Sequence, residues 1–401
     1  MAMKQTQTKM FDFSDVGLDF CVASKALFPD RVKKMLALGY NTQTVSSVTV
    51  SGNQVTFTYG VSHGYAAGRV LKISTGDLSP INNGEFVIDS VTSNTLKLTI
   101  DNAPASISGG FNTYVAPLGW ELVFEQTYIH VYKFKALDET DLYIRLCFQN
   151  QMARRNCISP CIGTTYNTTT GAITDTNSLA VNRSITSPGN GFKWELSYSA
   201  ENTFNNSSYT DGLSSHGKAL VIGSKYHFLL AYSTYASPGF GRVSGFSPVA
   251  TLNYSKLKYP VLLGETYGDI TAYGSPYGLN YAKAYIGVFE VLFSKNFIFD
   301  FPQSSSSFLP SSLDTFNTTA ANGCSIYEAT SKQIIGHING GIYIASYGET
   351  NTPSLEPLIS PVQTTEIDFS NIVYIHNISI NPGAQQSVFF AIPVEEIKIG
   401  Y

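Results

Sequence analysis

From Val48 onward the apolar residues of this chain fall at every second position. Val48 and Val50 are followed by Ser51-Gly52-Asn53, then by Val55, Phe57 and Tyr59. A period of two sends successive side chains to opposite faces, as in a half-buried strand, and a helix of period 3.6 does not produce it. The Ser-Gly-Asn break between two such runs reads as a hairpin turn. The pattern continues with a strand at Val70, Leu71 and Ile73, then with strands over 85–91 and 95–100 around Ser93-Asn94. His63-Gly64-Tyr65 with Gly68 makes a loop, Asn82-Asn83-Gly84 a turn, and 103–110 a loose linker. The stretch 45–115 is therefore expected to be a compact β module. It interrupts the route from an early helix to the rest of the chain, so it reads as an insertion.

That helix is signalled by Pro29, whose fixed φ suits a first turn, and by Asp30 at the positive end of the helix dipole. Val32, Met35, Leu36 and Leu38 give it an apolar face, with Arg31, Lys33 and Lys34 opposite, and Gly39 supplies the C-terminal stop. The spacing of Phe20, Val22 and Ala23 extends the expectation of helix back to Asp19, broken at Pro29.

Beyond Trp120 the pattern gives strands over 121–124, 128–134, 142–148, 192–198, 219–222 and 226–232, and a strand pair over 282–293. Two more, over 372–380 and 387–394, form a hairpin around Asn381-Pro382-Gly383. The Thr/Asn/Gly/Ser-rich stretch 164–191 reads as a long surface excursion and 235–246 as an exposed loop. The Ser/Pro-rich stretch 302–312 is the best boundary after the insertion. The expected fold is mainly β, multi-domain and β-sandwich or barrel-like, with one N-terminal helix and an inserted small β domain. Its parts are an N-terminal segment (1–44), the inserted module (45–115), a main β domain (116–301), a linker (302–312) and a C-terminal β region (313–401).

Charged residues make up 13% of the chain, about half the roughly 25% of ordinary globular proteins. Hydrophobic residues at 43%, with 25 Tyr and 25 Phe, exclude a disordered chain. A surface so poor in charge is weakly protected against association, which suits a subunit that buries surface against neighbours. A net charge of −4 gives no basis for nucleic-acid binding, and no membrane span is present. The N-terminus lacks the apolar core of a signal peptide.

Chemistry-bearing motifs are scarce. The 5 Cys are odd in number and scattered, which does not make a disulfide framework. Cys157 and Cys161 lack the two further ligands that zinc needs. His130, His227 and His376 lie in apolar strand-like runs and read as satisfied sheet histidines, and His63 as a turn residue bonding local backbone. Gly-x-Ser-x-Gly, P-loop and dinucleotide fingerprints are absent, so no cofactor is expected. The pairs Asp138-Glu139 and Glu395-Glu396 point to opposite faces of a strand and read as surface carboxylates. The aromatics Tyr232, Tyr235, Phe240, Tyr267, Tyr273, Tyr277 and Tyr281 are the candidate interface or sugar-stacking residues, with core filling as the competing reading.

Several of these residues together resemble a phage structural family. The run His63-Gly64-Tyr65 to Gly68-Arg69-Val70, then Asn83-Gly84-Glu85-Phe86, then Ser90-Val91-Thr92, is similar to a small β module of phage virion proteins. Leu118-Gly119-Trp120-Glu121, Tyr128 to Tyr132 and Tyr143-Ile144-Arg145 resemble the strands that follow that module in the family. The resemblance covers about 15–160. It implies a non-enzymatic structural component of a tailed-phage particle, in the tail or baseplate, made in the host bacterial cytoplasm and resident in the virion. Its partners would be copies of itself and other virion proteins. The alternatives are a host-receptor protein binding surface glycan, a head decoration or head–tail connector protein, and a hydrolase of envelope polymer.

Overall fold

The two-residue alternation closes on itself. In the computed structural model, six antiparallel strands form a closed barrel in the order Tyr40–Ser51, Gln54–Tyr59, Thr95–Thr99, Glu85–Val91, Val70–Ser74 and Asn112–Val115. The structure describes residues 7–74, 84–189, 191–198, 200–234, 241–252, 259–264, 281–294, 320–339, 342–348, 362–366, 371–377 and 386–393. The expected hairpin is there: Val48 pairs with Phe57 and Val50 with Val55, across a turn in which Gly52 takes φ 59°. Inward positions Val55, Phe57, Ile73, Phe86, Ile88, Leu96 and Leu98 are buried and fill the barrel. Closure leaves the barrel without a free sheet edge.

The chain is mainly β. Outside the barrel a ten-stranded antiparallel sheet runs from Lys9–Asp12 at one edge to Val249–Thr251 at the other. A five-stranded sheet, ordered Trp194–Glu195, Cys157–Gly163, Asp141–Phe148, Ile129–Lys135 and Glu121–Gln126, packs against it. Trp120 stacks on Phe134 at 5.1 Å between ring centroids and lies 5.6 Å from Phe246, while Trp194 stacks on Phe228 at 5.9 Å. The Trp194 indole N–H donates to the Leu263 carbonyl across the gap at 3.0 Å. These rings form the centre of a sandwich. A further five-stranded sheet comprises Ala320–Gly323, Tyr343–Gly348, Gln386–Pro393, Asn371–Asn377 and Val362–Glu366.

Several expectations are corrected. The early helix is α-helical only over Phe28–Lys33 and then widens to a π-turn over Lys34–Leu38. It does not reach back to Asp19, which has φ 42°; the segment turns so that Phe20 stacks on Phe13 at 3.8 Å and meets Phe28 edge-on at 5.1 Å. A second helix, Tyr209–His216, was not expected; Ser208 and Asp211 close a capping box at its start. Strand over 192–198 is limited to Trp194–Glu195. Ser325–Glu328 and Ile334–Ile338, expected in a separate C-terminal region, continue the ten-stranded sheet by pairing with Phe289–Ser294 and with each other. The expected linker 302–312 lies outside the described residues, as does the turn Asn381-Pro382-Gly383, but its flanking strands do pair.

The stretch 164–191 is no free excursion. Ile173, Ser178, Leu179 and Asn182 are buried, and Ile173 and Leu179 cluster with Cys161 on the outer face of the five-stranded sheet. It is a strap, and its polar residues are spent on internal turns. Asp175 accepts from the Thr164 N–H at 2.9 Å, the Asn177 N–H at 2.8 Å and the Tyr259 hydroxyl at 2.6 Å.

Gly39 joins helix to barrel with φ 77°, and a Cβ there would collide with the Tyr114 ring and the Val115 carbonyl. Gly39→Ala is accordingly expected to destabilise by about 1–3 kcal/mol. Urea unfolding measures this, and a loss within about 0.5 kcal/mol contradicts the strained-joint account.

Candidate functional site

The barrel enters and leaves the body through neighbouring strands, so its attachment depends on side chains. Arg69 and Glu85, two of the residues carrying the phage-module resemblance, are found at that joint, and His63 and Tyr65 fix the barrel loop beside it. The His63 ring is buried; its Nδ1 accepts from the Tyr65 N–H at 2.9 Å, so Nε2 carries the proton and donates to the Thr95 carbonyl at 3.1 Å. The turn-residue reading of His63 therefore holds. The Tyr65 hydroxyl lies 2.9 Å from the Asn41 carbonyl and 2.9 Å from that of Thr113, and Tyr59 reaches the Thr113 hydroxyl at 2.9 Å. Burial pushes both phenols well up from their ordinary value. The Asn41 side chain donates back to the His63 carbonyl at 2.9 Å, closing the loop onto the first barrel strand.

Arg69 crosses from barrel to body. Its Nε and Nη2 donate to the two oxygens of Asp15 at 2.7 and 2.9 Å, a fork-to-carboxylate pair. The Tyr40 hydroxyl and the Asp12 N–H also donate to Asp15, at 2.7 and 3.1 Å. Burial works against the charged guanidinium, but Asp15 outweighs it and raises the Arg69 pKa. A second bridge joins Lys9, on the edge strand of the ten-stranded sheet, to Glu85 of the barrel at 2.6 Å. Burial pulls the Lys9 ammonium down, and Glu85 opposes it. Sequence reading found His63, Tyr65 and Arg69 but missed Asp15 and Lys9. The available signal was the acidic pair Asp12 and Asp15 in a chain otherwise poor in charge.

The other expected sites fall differently. Tyr232 is no interface residue: it is 1% exposed, and its hydroxyl donates to the Glu195 carbonyl at 2.6 Å, bonding one sheet to the other. Burial raises its pKa. Tyr281 opens the Tyr281–Ile286 strand. Tyr235, Phe240, Tyr267, Tyr273 and Tyr277 lie outside the described residues, as does the pair Glu395-Glu396. Glu139 pairs with Lys225 at 2.8 Å and Asp138 accepts from the Thr140 N–H at 3.1 Å, so each has a structural partner. All five thiols are free and buried. Among the described residues no group of three His, Cys, Asp or Glu side chains is placed to hold a metal ion, and no helix is long and apolar enough to cross a membrane.

His130 is buried within the Ile129–Lys135 strand, as expected, whereas His227 is buried in the turn just before the Phe228–Ser233 strand and not in the sheet ladder. His130 Nδ1 lies 2.8 Å from the Tyr132 hydroxyl and His227 Nδ1 lies 2.8 Å from that of Ser224. Burial pulls His130 down to about 4 and His227 to about 3. An unfolded histidine titrates near ~6.5, so the unfolded chain takes up these protons first as pH falls. The stability held by the neutral rings is full above about pH 6.5 and drains as pH falls toward the folded values, at roughly 1.4 kcal/mol per pH unit for each ring. Urea midpoints measured downward from neutral pH check this; a flat profile means that the folded protein already accepts the protons.

No protein-family model matches the sequence, and no curated protein matches it. Comparison with solved structures finds similarity to the endosialidase of phage phi92, at 9% identity over 90% of this chain and 52% of that one, with a TM-score of 0.16. The chain spans about half the length of that protein. A superposition at this score bears on neither activity nor partners.

Proposed function

We propose that this chain is a structural component of a tailed-phage particle, in the tail or baseplate, acting by protein–protein contact and not by catalysis. The observation that carries the reading is the joint. Of the residues that resemble the phage module, His63 and Tyr65 bond the backbone of barrel strands and fix the loop that carries Arg69, and Arg69 pairs with Asp15 to tie the closed barrel to the sandwich body. Their polar atoms are spent on backbone and on Asp15, which is what a subunit needs to present a small module rigidly to its neighbours. The low charge of the chain fits a protein whose surface is buried by other copies and by other virion proteins.

The test is to purify particles of the source phage, detect this chain by mass spectrometry, and locate it with labelled antibody in the electron microscope. The chain is expected in intact particles, with label on the tail or baseplate. Label on the head moves it to a decoration or connector role. Absence from particles, or turnover of envelope polymer by the purified chain, ends the proposal.

A further inference from the structure

Of the lysine–carboxylate pairs among the described residues, the one between Lys9 and Glu85 is the most deeply buried. Lys9 opens the Lys9–Asp12 edge strand, opposite Gly223, and its side chain is 3% exposed. Glu85 opens the Glu85–Val91 barrel strand, and its side chain is 12% exposed. The Lys9 nitrogen stands 2.6 Å from Glu85 Oε2, an oxygen that is itself buried. Glu125, Glu121 and Glu139 also meet lysines at close range, but their side chains are 45%, 61% and 49% exposed and remain in water.

Two further groups face the pair. The Pro117 carbonyl accepts a hydrogen bond from Lys9 Nζ at 2.5 Å. Lys72, opposite Glu85 in the barrel ladder, holds its ammonium 3.7 Å from Glu85 Oε1, the other carboxylate oxygen. Burial lowers the Lys9 pKa and the like charge of Lys72 adds to this, against the pull of Glu85. The neutral amine is therefore closer at hand than in an exposed lysine. An ion pair taken out of water carries a desolvation penalty that its own attraction only partly offsets, and a neutral link in its place removes both charges. Groups held in contact by a fold also react as if at very high concentration.

We propose that Lys9 and Glu85 condense into an isopeptide bond that ties the barrel covalently to the ten-stranded sheet. A proton passes from Lys9 Nζ to Glu85 Oε2, leaving a neutral amine beside a neutral acid. The amine lone pair attacks Glu85 Cδ, and negative charge gathers on Oε1, where the Lys72 ammonium stabilises it. The intermediate then collapses: the carbonyl re-forms at Oε1, the bond from Cδ to Oε2 breaks, and Oε2 leaves as water with a second proton from Nζ. An ammonium and a carboxylate thus give one secondary amide and one water, with no oxidant or co-reactant. The amide keeps a single N–H, for which the Pro117 carbonyl is already in place, and its oxygen stays beside Lys72. The bond does not depend on where the chain sits in a particle.

The test uses the full chain, held folded at neutral pH for several days, then denatured for intact-mass measurement and digested with trypsin. The expected mass is lower than that of the sequence by one water. The digest is expected to contain a branched peptide joining residues 5–25 to residues 73–97, because trypsin does not cut after an acylated lysine. Fragmentation places the link between Lys9 and Glu85. Lys9→Arg keeps the ion pair, shows the full mass and runs more slowly on a denaturing gel, since its chain lacks the closed loop. Lys72→Met slows the appearance of the branched peptide several-fold. A wild-type chain of full mass that releases the linear peptide 5–9 overturns the proposal. So does a loss of water that maps to any other residue, such as a cyclised aspartate. If Lys9→Arg does not fold, the wild-type peptide map still decides.

Discussion

Trp120→Ala is expected to lower stability by about 3–5 kcal/mol. Trp120 is 4% exposed and stands between the two sheets of the sandwich, against Phe134, Phe246 and Phe228 and edge-on to Tyr132 at 6.5 Å. Truncation opens a cavity bounded by rings that belong to different sheets and cannot all move in to fill it. The change also orphans the Ser224 carbonyl, which accepts the indole N–H at 3.0 Å in a buried setting. Trp120→Phe keeps part of the ring contact but still loses that bond, so it falls between. Chemical unfolding monitored by far-UV circular dichroism gives the number; an alanine variant within about 1 kcal/mol of wild type means the two sheets are not held together here.

The second large effect is at the barrel joint. Arg69→Met removes the fork from Asp15, whose side chain is 8% exposed, and leaves a nearly buried carboxylate with only neutral donors. Breaking one partner of a buried pair costs about 3–5 kcal/mol, because the remaining charge is uncompensated. Replacing both, as Arg69→Met with Asp15→Leu, is expected to restore most of that loss, since apolar groups do not need the pair. Hydrogen exchange adds the spatial readout: barrel amides near Val70–Ser74 should lose protection in the single variant and regain it in the double. If the double variant is no better than the single, the cost lies in packing around the guanidinium stem and not in the orphaned charge.

The parts of this fold that were legible in the sequence are those in which neighbouring residues decide. Alternation from Val48 to Tyr59, with a glycine-containing turn, specifies a hairpin whatever lies across from it. Pro29 and Gly39 mark the helix ends by backbone chemistry alone. His63 was read correctly because its partner Tyr65 is two residues away. Errors arose where a distant partner decides. Phe20, Val22 and Ala23 have a helix-like spacing, but Phe20 is claimed by Phe13 and Phe28, and turns bring the three rings together. The 164–191 stretch is too poor in apolar residues to read as anything but a loop, yet Ile173 and Leu179 suffice to pin it over a sheet. Tyr232 looks like its neighbours in an aromatic-rich run, and only its register opposite Arg242 and Ala219 shows that it faces inward.

The sequence by itself determined that this protein is built of strands, where its first hairpin and helix lie, and that its surface is poor in charge. Tertiary structure alone decided that six strands close into a barrel, that Val249–Thr251 finds its partner at Ile334–Ile338, and that Arg69 meets Asp15. The physical reason is a difference in range. Periodicity and turn chemistry act over a few residues and fix which face of a strand is apolar. The partner that face takes is set by burial summed over the whole chain, which no local window contains.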